Sequence, residues 1–257
     1  MQRRVLVTGA ARRIGAAIAQ GLAARGWAVA IHHHQSPDAA QALARTLRSQ
    51  GATAAVVTAD LGDPHGPAAL LTEARDALDG PIDALVNNAS RFVFDALPLD
   101  GHAELDAHMH VNLAAPVLLA QALAAQPDLT EGAVVNLLDQ KVGNLNPDFF
   151  TYTCSKIALA GATEMLARAL APRVRVNAVS PGLSLPSLDQ SDDEFAATGK
   201  QNLLERHVAI DDIAATVAHL LETRSITGQN VFVDCGQRFL SRDGDVMFST
   251  RARPAHE

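Results

Sequence analysis

The chain has 257 residues, of which 48% are apolar and 4% aromatic, and a formal net charge of −7 at pH 7. This is the composition of an ordinary globular protein with one sizeable core, and the acidic balance excludes a surface built to track a phosphate backbone, so no nucleic acid partner is expected. The apolar run in MQRRVLVTGA is too short for a signal peptide, no run approaches the roughly 18 apolar residues of a membrane span, and Cys154 and Cys235 fit a reduced, cytoplasmic setting with a disulfide left open.

In chain order, short runs rich in valine and isoleucine predict strands at 5–8, 27–33, 53–59, 83–87, 133–138, 174–179 and 230–234. Between them, segments of helical period predict helices at 13–25, 37–49, 66–79, 101–125, 150–171 and 210–222. Alternation of this kind predicts an α/β fold: one domain over residues 1–240, a doubly wound parallel sheet of seven strands with helices on both faces, and ligands beyond the carboxyl ends of the strands. Residues 181–209 hold no clear strand and are read as a substrate lid. The stretch from about Ser241 to Glu257 reads as a loose tail, frayed at RARPAHE.

The first strand runs into TGAARRIG, residues 8–15. A glycine-rich turn there lets backbone approach a pyrophosphate at a helix N-terminus. An ordinary strand-to-helix turn would use the same glycines, but position at the first strand favours a dinucleotide. After the second strand stands HHHQS, residues 32–36, with no acid before Asp38 to accept from ribose hydroxyls. A 2′-phosphate would be accommodated instead, with Arg12 supplying charge and His34, Gln35 and Ser36 donating. A metal reading of the histidines, joined by His108 and His110, fails for want of a ligand set, because His32 and His34 face away from His33; no metal is expected.

The stretch LLDQKVGNLNPDFFTYTCSK, residues 137–156, carries the chain's single tyrosine. Asp139 closes the fifth strand, while Tyr152 and Lys156 at i and i+4 share a helix face. An ammonium beside a phenol eases its ionisation and suits it to proton transfer. Cys154 reads as core rather than nucleophile.

These features together resemble the short-chain dehydrogenases/reductases: TG with Gly15 after the first strand, Asp60 in TADL, NNA at 87–89, Asn112, Tyr-x-x-x-Lys, and Pro181-Gly182 after the sixth strand. The resemblance spans roughly residues 3 to 240 and implies a Rossmann-type fold, a nicotinamide cofactor and a homotetramer. Arg13 replaces the middle glycine of the turn and Asp139 the usual catalytic serine. Both departures are shared with the pteridine reductase and dihydromonapterin reductase branch, which the chain is similar to also in HHHQS, NNASRF and PGLS. Gln35 stands where that branch has an arginine, which weakens strict selectivity for NADPH.

By this resemblance the chain is an NADPH-dependent reductase of a pterin or dihydrofolate. The cofactor would be held by Gly9, Arg12, Arg13, Ile14, Gly15, His34, Gln35 and Ser36, with Asp60 and Leu61 beside adenine. Asn88, Ala89, Ser90, Tyr152, Lys156, Pro181, Gly182 and Ser184 would complete that site. Asp139 and Tyr152 would form a proton relay, Lys156 would lower the tyrosine pKa and hold the nicotinamide ribose, and Asn112 would support Lys156 through a water. Substrate contacts would come from Arg13, Ser90, Phe92 stacked on the pterin, Asp139, Tyr152 and Leu183, with Leu185 closing over it; a core role for Phe92 and lid packing for both leucines remain open. The alternatives are a carbonyl or 3-oxoacyl reductase of the same fold, which Asp139 opposes because an ionised carboxylate cannot donate to a ketone oxygen, and a non-catalytic NADPH-binding regulator.

Overall fold

The computed structural model describes residues 2–186 and 190–250. Residues 187–189 of the expected lid and 251–257 of the tail lie outside the described residues. Seven parallel strands form one sheet: β1 (Arg4–Val7), β2 (Ala28–His33), β3 (Ala54–Thr58), β4 (Ala84–Asn87), β5 (Gly132–Leu137), β6 (Val174–Pro181) and β7 (Asn230–Val233), in the order β3-β2-β1-β4-β5-β6-β7. Strands β2 and β5 are buried at every position, as continuous apolar runs require when helices cover both faces. Alternation sorts their side chains: Val5 and Val7 join Ile18, Leu22 and Leu47 on one side, and Leu6 joins Leu70, Leu119 and Leu123 on the other.

On the first side lie α1 (Arg13–Ala24), α2 (Pro37–Ser49) and α8 (Ile210–Glu222); on the second lie α3 (Gly66–Ala77), α5 (Ala115–Ala124) and α6 (Phe150–Ala169). The predicted helix 101–125 is broken into α4 (Ala103–Met109), a π-helical turn (His110–Ala114) and α5. Pro116 explains the break, since it has no N–H for a carbonyl one turn earlier. The connection 181–209, expected to hold no clear strand, contains α7 (Asp192–Thr198), opened by a capping box in which Ser191 Oγ accepts from Glu194 N at 3.2 Å and Glu194 Oε2 accepts from Ser191 N at 2.8 Å. The SDDE spacing was its sequence signal.

The winding direction reverses between β1 and β4, so the crevice at their carboxyl ends is where a ligand fits. A buried polar chain aligns α6 on this frame. Asn87 Nδ2 donates to Asn136 Oδ1 at 2.8 Å, and Asn136 Nδ2 donates to Thr163 Oγ1 at 2.9 Å. Replacing Asn136 by leucine takes one partner from each neighbour, leaving Asn87 Nδ2 only a long bond to Pro116 O at 3.4 Å and Thr163 Oγ1 its bond to Leu159 O, at a cost of about 1–3 kcal/mol. Thermal or urea denaturation of Asn136→Leu should show that loss; native stability would contradict it.

Candidate active site

The crevice opens into a cleft of about 950 Å³, at the upper end of small-molecule sites. At its β1 side the wall is bare backbone. A Cβ on Gly15 would sit 2.4 Å from Gly9 O and 2.5 Å from Asn88 Nδ2, and one on Gly9, at φ +61, would sit 2.9 Å from Ala89 Cα. Neither position admits a side chain, which leaves the turn open to a pyrophosphate at the start of α1. Asn88 stitches that turn to β4: its Nδ2 donates to Thr8 O at 2.8 Å and Gly9 O at 3.1 Å, while Thr8 Oγ1 accepts from Asn88 N at 2.9 Å and Ala89 N at 3.0 Å.

Arg13 adopts φ +56, a left-handed conformation costing a non-glycine residue roughly 1 kcal/mol. Its guanidinium donates to Pro186 O at 2.9 Å, tying the turn to the segment after β6. Arg12 at the start of α1 and His34, Gln35 and Ser36 beyond β2 line the cleft, with Asp60 and Leu61 beside them after β3. His34 Nε2 lies 3.8 Å from Asp60 Oδ2, and Asp60 Oδ1 accepts from Gly62 N at 2.8 Å. Asp60 therefore closes its own turn and does not cap α3, whose N-cap is His65. His32 braces the frame: Nδ1 accepts from Gly9 N at 3.1 Å, leaving Nε2 to donate to Ala59 O at 3.2 Å. Burial brings this imidazole down to about 4, so it is neutral at physiological pH.

The chemical groups meet at the end of β5. Tyr152 OH donates to Asp139 Oδ2 at 2.9 Å, and Lys141 N donates to Asp139 Oδ1 at 2.9 Å, starting a 3₁₀ turn over Gln140–Gly143. Burial raises the Asp139 carboxyl above its ordinary range, against the opposing pull of the Lys141 N–H. Tyr152 is pushed well above an ordinary phenol, by burial first and then by facing Asp139. Burial and Asp139 outweigh any easing of Tyr152 ionisation by Lys156. Its Nζ donates to Leu137 O at 2.8 Å and lies 5.7 Å from the ring centroid, while the charge at the phenol's own hydrogen bond is a carboxylate. Tyr152 is thus a protonated donor.

Asn112 is held by direct bonds to its neighbours. Its Oδ1 accepts from Arg91 N at 2.8 Å and Ser90 Oγ at 3.2 Å, and its Nδ2 donates to Arg91 O and Ser155 Oγ, both at 3.0 Å. With all four side-chain valences used, this amide fixes the loop after β4 to α6. Ser90 lines the cleft through that loop. Phe92 also lines it, stacked on Phe149 at 4.4 Å between centroids and edge-on to Tyr152 at 4.7 Å. Pro181 at the end of β6 and Gly182, Leu183, Ser184 and Leu185 after it form the facing wall, with Leu183 N donating to Gln237 Oε1 at 2.9 Å. Ile14 completes the wall at α1. Cys154 is raised by burial, as suits a packed thiol.

Several lining residues escaped the sequence reading: Lys141, Gln237, and Asp245, Val246 and Met247. The last three belong to the tail read as loose, whose described part instead forms a 3₁₀ turn, Val246–Ser249, against the cleft. The apolar VMF within a charged tail was the available signal. Among the described residues no group of histidine, cysteine and carboxylate side chains has a metal-binding arrangement, and no helix is long and apolar enough to cross a membrane.

Comparison with known proteins agrees with this architecture. A family model described as enoyl-(acyl carrier protein) reductase matches residues 9–238. The 3-oxoacyl-[acyl-carrier-protein] reductase FabG of Staphylococcus epidermidis is 32% identical over 242 residues, covering 92% of this chain and 99% of that protein. Pteridine reductase 1 of Leishmania tarentolae is 31% identical over 275 aligned positions, covering 90% and 94%. The crystal structure of FolM alternative dihydrofolate reductase 1 from Brucella canis, complexed with NADP, is similar at a TM-score of 0.89 and 44% identity, covering 93% of this chain and 95% of that one. The chain belongs to the short-chain dehydrogenase/reductase family, with its Rossmann-type fold.

Burial lowers the Lys156 ammonium from 10.5 to about 8. Between those values the unfolded chain holds a proton that the native protein has released, so native stability rises with pH across that window. Urea unfolding from pH 8 to 10.5 should therefore show stability rising more steeply for the native protein than for Lys156→Met. Parallel curves would contradict the depressed value.

Proposed function

We propose that the protein is an NADPH-dependent reductase of a pterin, such as a dihydropterin or dihydrofolate. The observation that carries this reading is the carboxyl-phenol pair of half-buried Asp139 and buried Tyr152 at 2.9 Å. A carbonyl reductase uses a hydroxyl that donates to the substrate oxygen in every protonation state, whereas the carboxyl-phenol pair can pass a proton toward a ring nitrogen and, when ionised, accept from the amino-pyrimidine N–H groups. The likeness to a pteridine reductase and to FolM supports the same choice.

The residues around the Gly9–Gly15 turn fit a dinucleotide, because the close packing of both glycines against backbone and the Asn88 amide brings the turn tight onto the start of α1, where a pyrophosphate meets backbone N–H groups. Arg12, with His34 and Ser36, suits the 2′-phosphate of NADPH. When bound, that cofactor supplies the hydride for the carbon of a C=N bond. Tyr152 gives its phenolic proton to the nitrogen, and Asp139 returns a proton to Tyr152, so the bond becomes CH–NH and the carboxylate is reprotonated from solvent. Asn88 and Ala89 hold the turn open, Lys156 takes the ribose hydroxyls, and Phe92 offers a flat face to the heterocycle. Arg13, Ser90, Leu183 and Leu185 border the substrate, and the connection 181–209 acts as its lid. The half-exposed Ile157 and the exposed Met165 on α6 suit burial in a homotetramer.

A 3-oxoacyl reductase is the second reading, favoured by the 32% identity to FabG. NADPH oxidation with dihydropterins and dihydrofolate separates the two. Native turnover should fall by about 10²-fold or more in Tyr152→Phe and in Asp139→Asn, the loss expected for a positioned proton donor. Turnover of a 3-oxoacyl thioester with none of any pterin would overturn the proposal.

A further inference from the structure

The described part of the C-terminal tail borders the cleft, and the proposed chemistry gives it no task. It is held there by a buried ion pair. Lys141, 2% exposed, donates from Nζ to Asp245 Oδ2 and to Asn146 Oδ1, each at 2.9 Å, and lies 5.6 Å from the centroid of Phe149. The other carboxylate oxygen, Asp245 Oδ1, accepts from Met247 N at 3.0 Å and so opens the turn Val246–Ser249, while Asp245 N donates to Asp148 Oδ2 at 2.7 Å. Met247, 1% exposed, packs with Phe149 and Tyr152. At the far end Ser249 Oγ accepts from Gln201 Nε2 at 3.0 Å, just beyond α7. The segment thus bridges the loop after β5 and the connection expected to be the lid.

Lys141 acts from both of its ends. Its backbone N–H holds Asp139 and its ammonium holds the tail. A buried pair is a weak stabiliser, because desolvation offsets most of its attraction and well-packed apolar residues serve as well. In the structure the pair and the turn that Asp245 opens set Met247 against the aromatic cluster beside Tyr152.

We propose that the Lys141–Asp245 pair latches residues 245–249 onto the loop that carries Asp139, making Met247 a wall of the substrate site. Lys141 and Asp245 are then positioning residues for substrate selection, a role that rests on the reductase reading for its kinetic consequence. The latch itself is tested without substrate, by hydrogen exchange of the full-length protein. In Asp245→Asn the amides of 245–249 should exchange about tenfold faster or more, because the local opening that the pair restrains is released, while those of β5 and α6 stay protected. Kinetically, Asp245→Asn should raise KM for the dihydropterin about tenfold with kcat and the KM for NADPH within about threefold, the signature of lost ground-state binding. Met247→Ala, which keeps the ion pair, should leave exchange native and shift relative kcat/KM toward pterins with bulkier side chains.

Native exchange in Asp245→Asn would overturn the latch. Faster exchange with unchanged KM, or unaltered side-chain preference in Met247→Ala, would overturn the wall. Failure of the reductase reading looks different: the native protein would reduce no pterin while the exchange result stood.

Discussion

The hydrogen bond from Tyr152 to Asp139 is the constraint on which the rest of the site depends. It places a phenol and a carboxyl in contact at the cleft wall: burial makes both harder to ionise and Asp139 makes Tyr152 harder still, while the phenol's hydrogen bond partly eases ionisation of the carboxyl. In such an environment a proton is shared or passed on rather than lost to solvent. The surrounding architecture serves that contact. The end of β5 and the first turns of α6 bring the two residues together, the Asn87–Asn136–Thr163 chain sets the helix on the sheet, and Lys141 N holds the second carboxylate oxygen.

The remainder of the cleft is shaped by what it leaves out. Side chains are missing at Gly9 and Gly15 because backbone and the Asn88 amide already occupy the space. His32, neutral and bonded through both ring nitrogens, ties the β1 turn to the end of β3, so the ring is consumed by the frame. Arg13 holds a conformation that glycine would adopt without strain and gains a bond to Pro186 O in exchange. Dinucleotide end and chemical end are thus joined across the switch point by Asn88 and Thr8, with few flexible parts between them.

Much of this was legible in the sequence because parallel strands buried on both faces must be continuous apolar runs, and because a doubly wound sheet puts its ligand residues directly after its strands. All seven strands and the turn 8–15 could be located on those grounds. Three things were not legible, each for a physical reason. The π turn at His110–Ala114 lies inside an unbroken helical pattern that only Pro116 interrupts. The direction of Lys156 could not be read from its i, i+4 spacing, which sets a shared face but not the partner; its ammonium goes to a strand carbonyl. Lys141 and Asp245 meet across 104 residues of chain, and no local period records a pairing over that distance. The capping box at Ser191 and Glu194, by contrast, was present as a local signal and marked α7.

The central claim is that the carboxyl of Asp139 sets the class of substrate. Its most direct test is the ratio of kcat/KM for a dihydropterin to that for a 3-oxoacyl thioester, measured with NADPH for the native protein and for Asp139→Ser. The account predicts a native ratio strongly favouring the pterin and a fall of about 10²-fold or more when a hydroxyl donor replaces the carboxyl. A ratio unmoved by that exchange, or a native preference for the thioester, would contradict it.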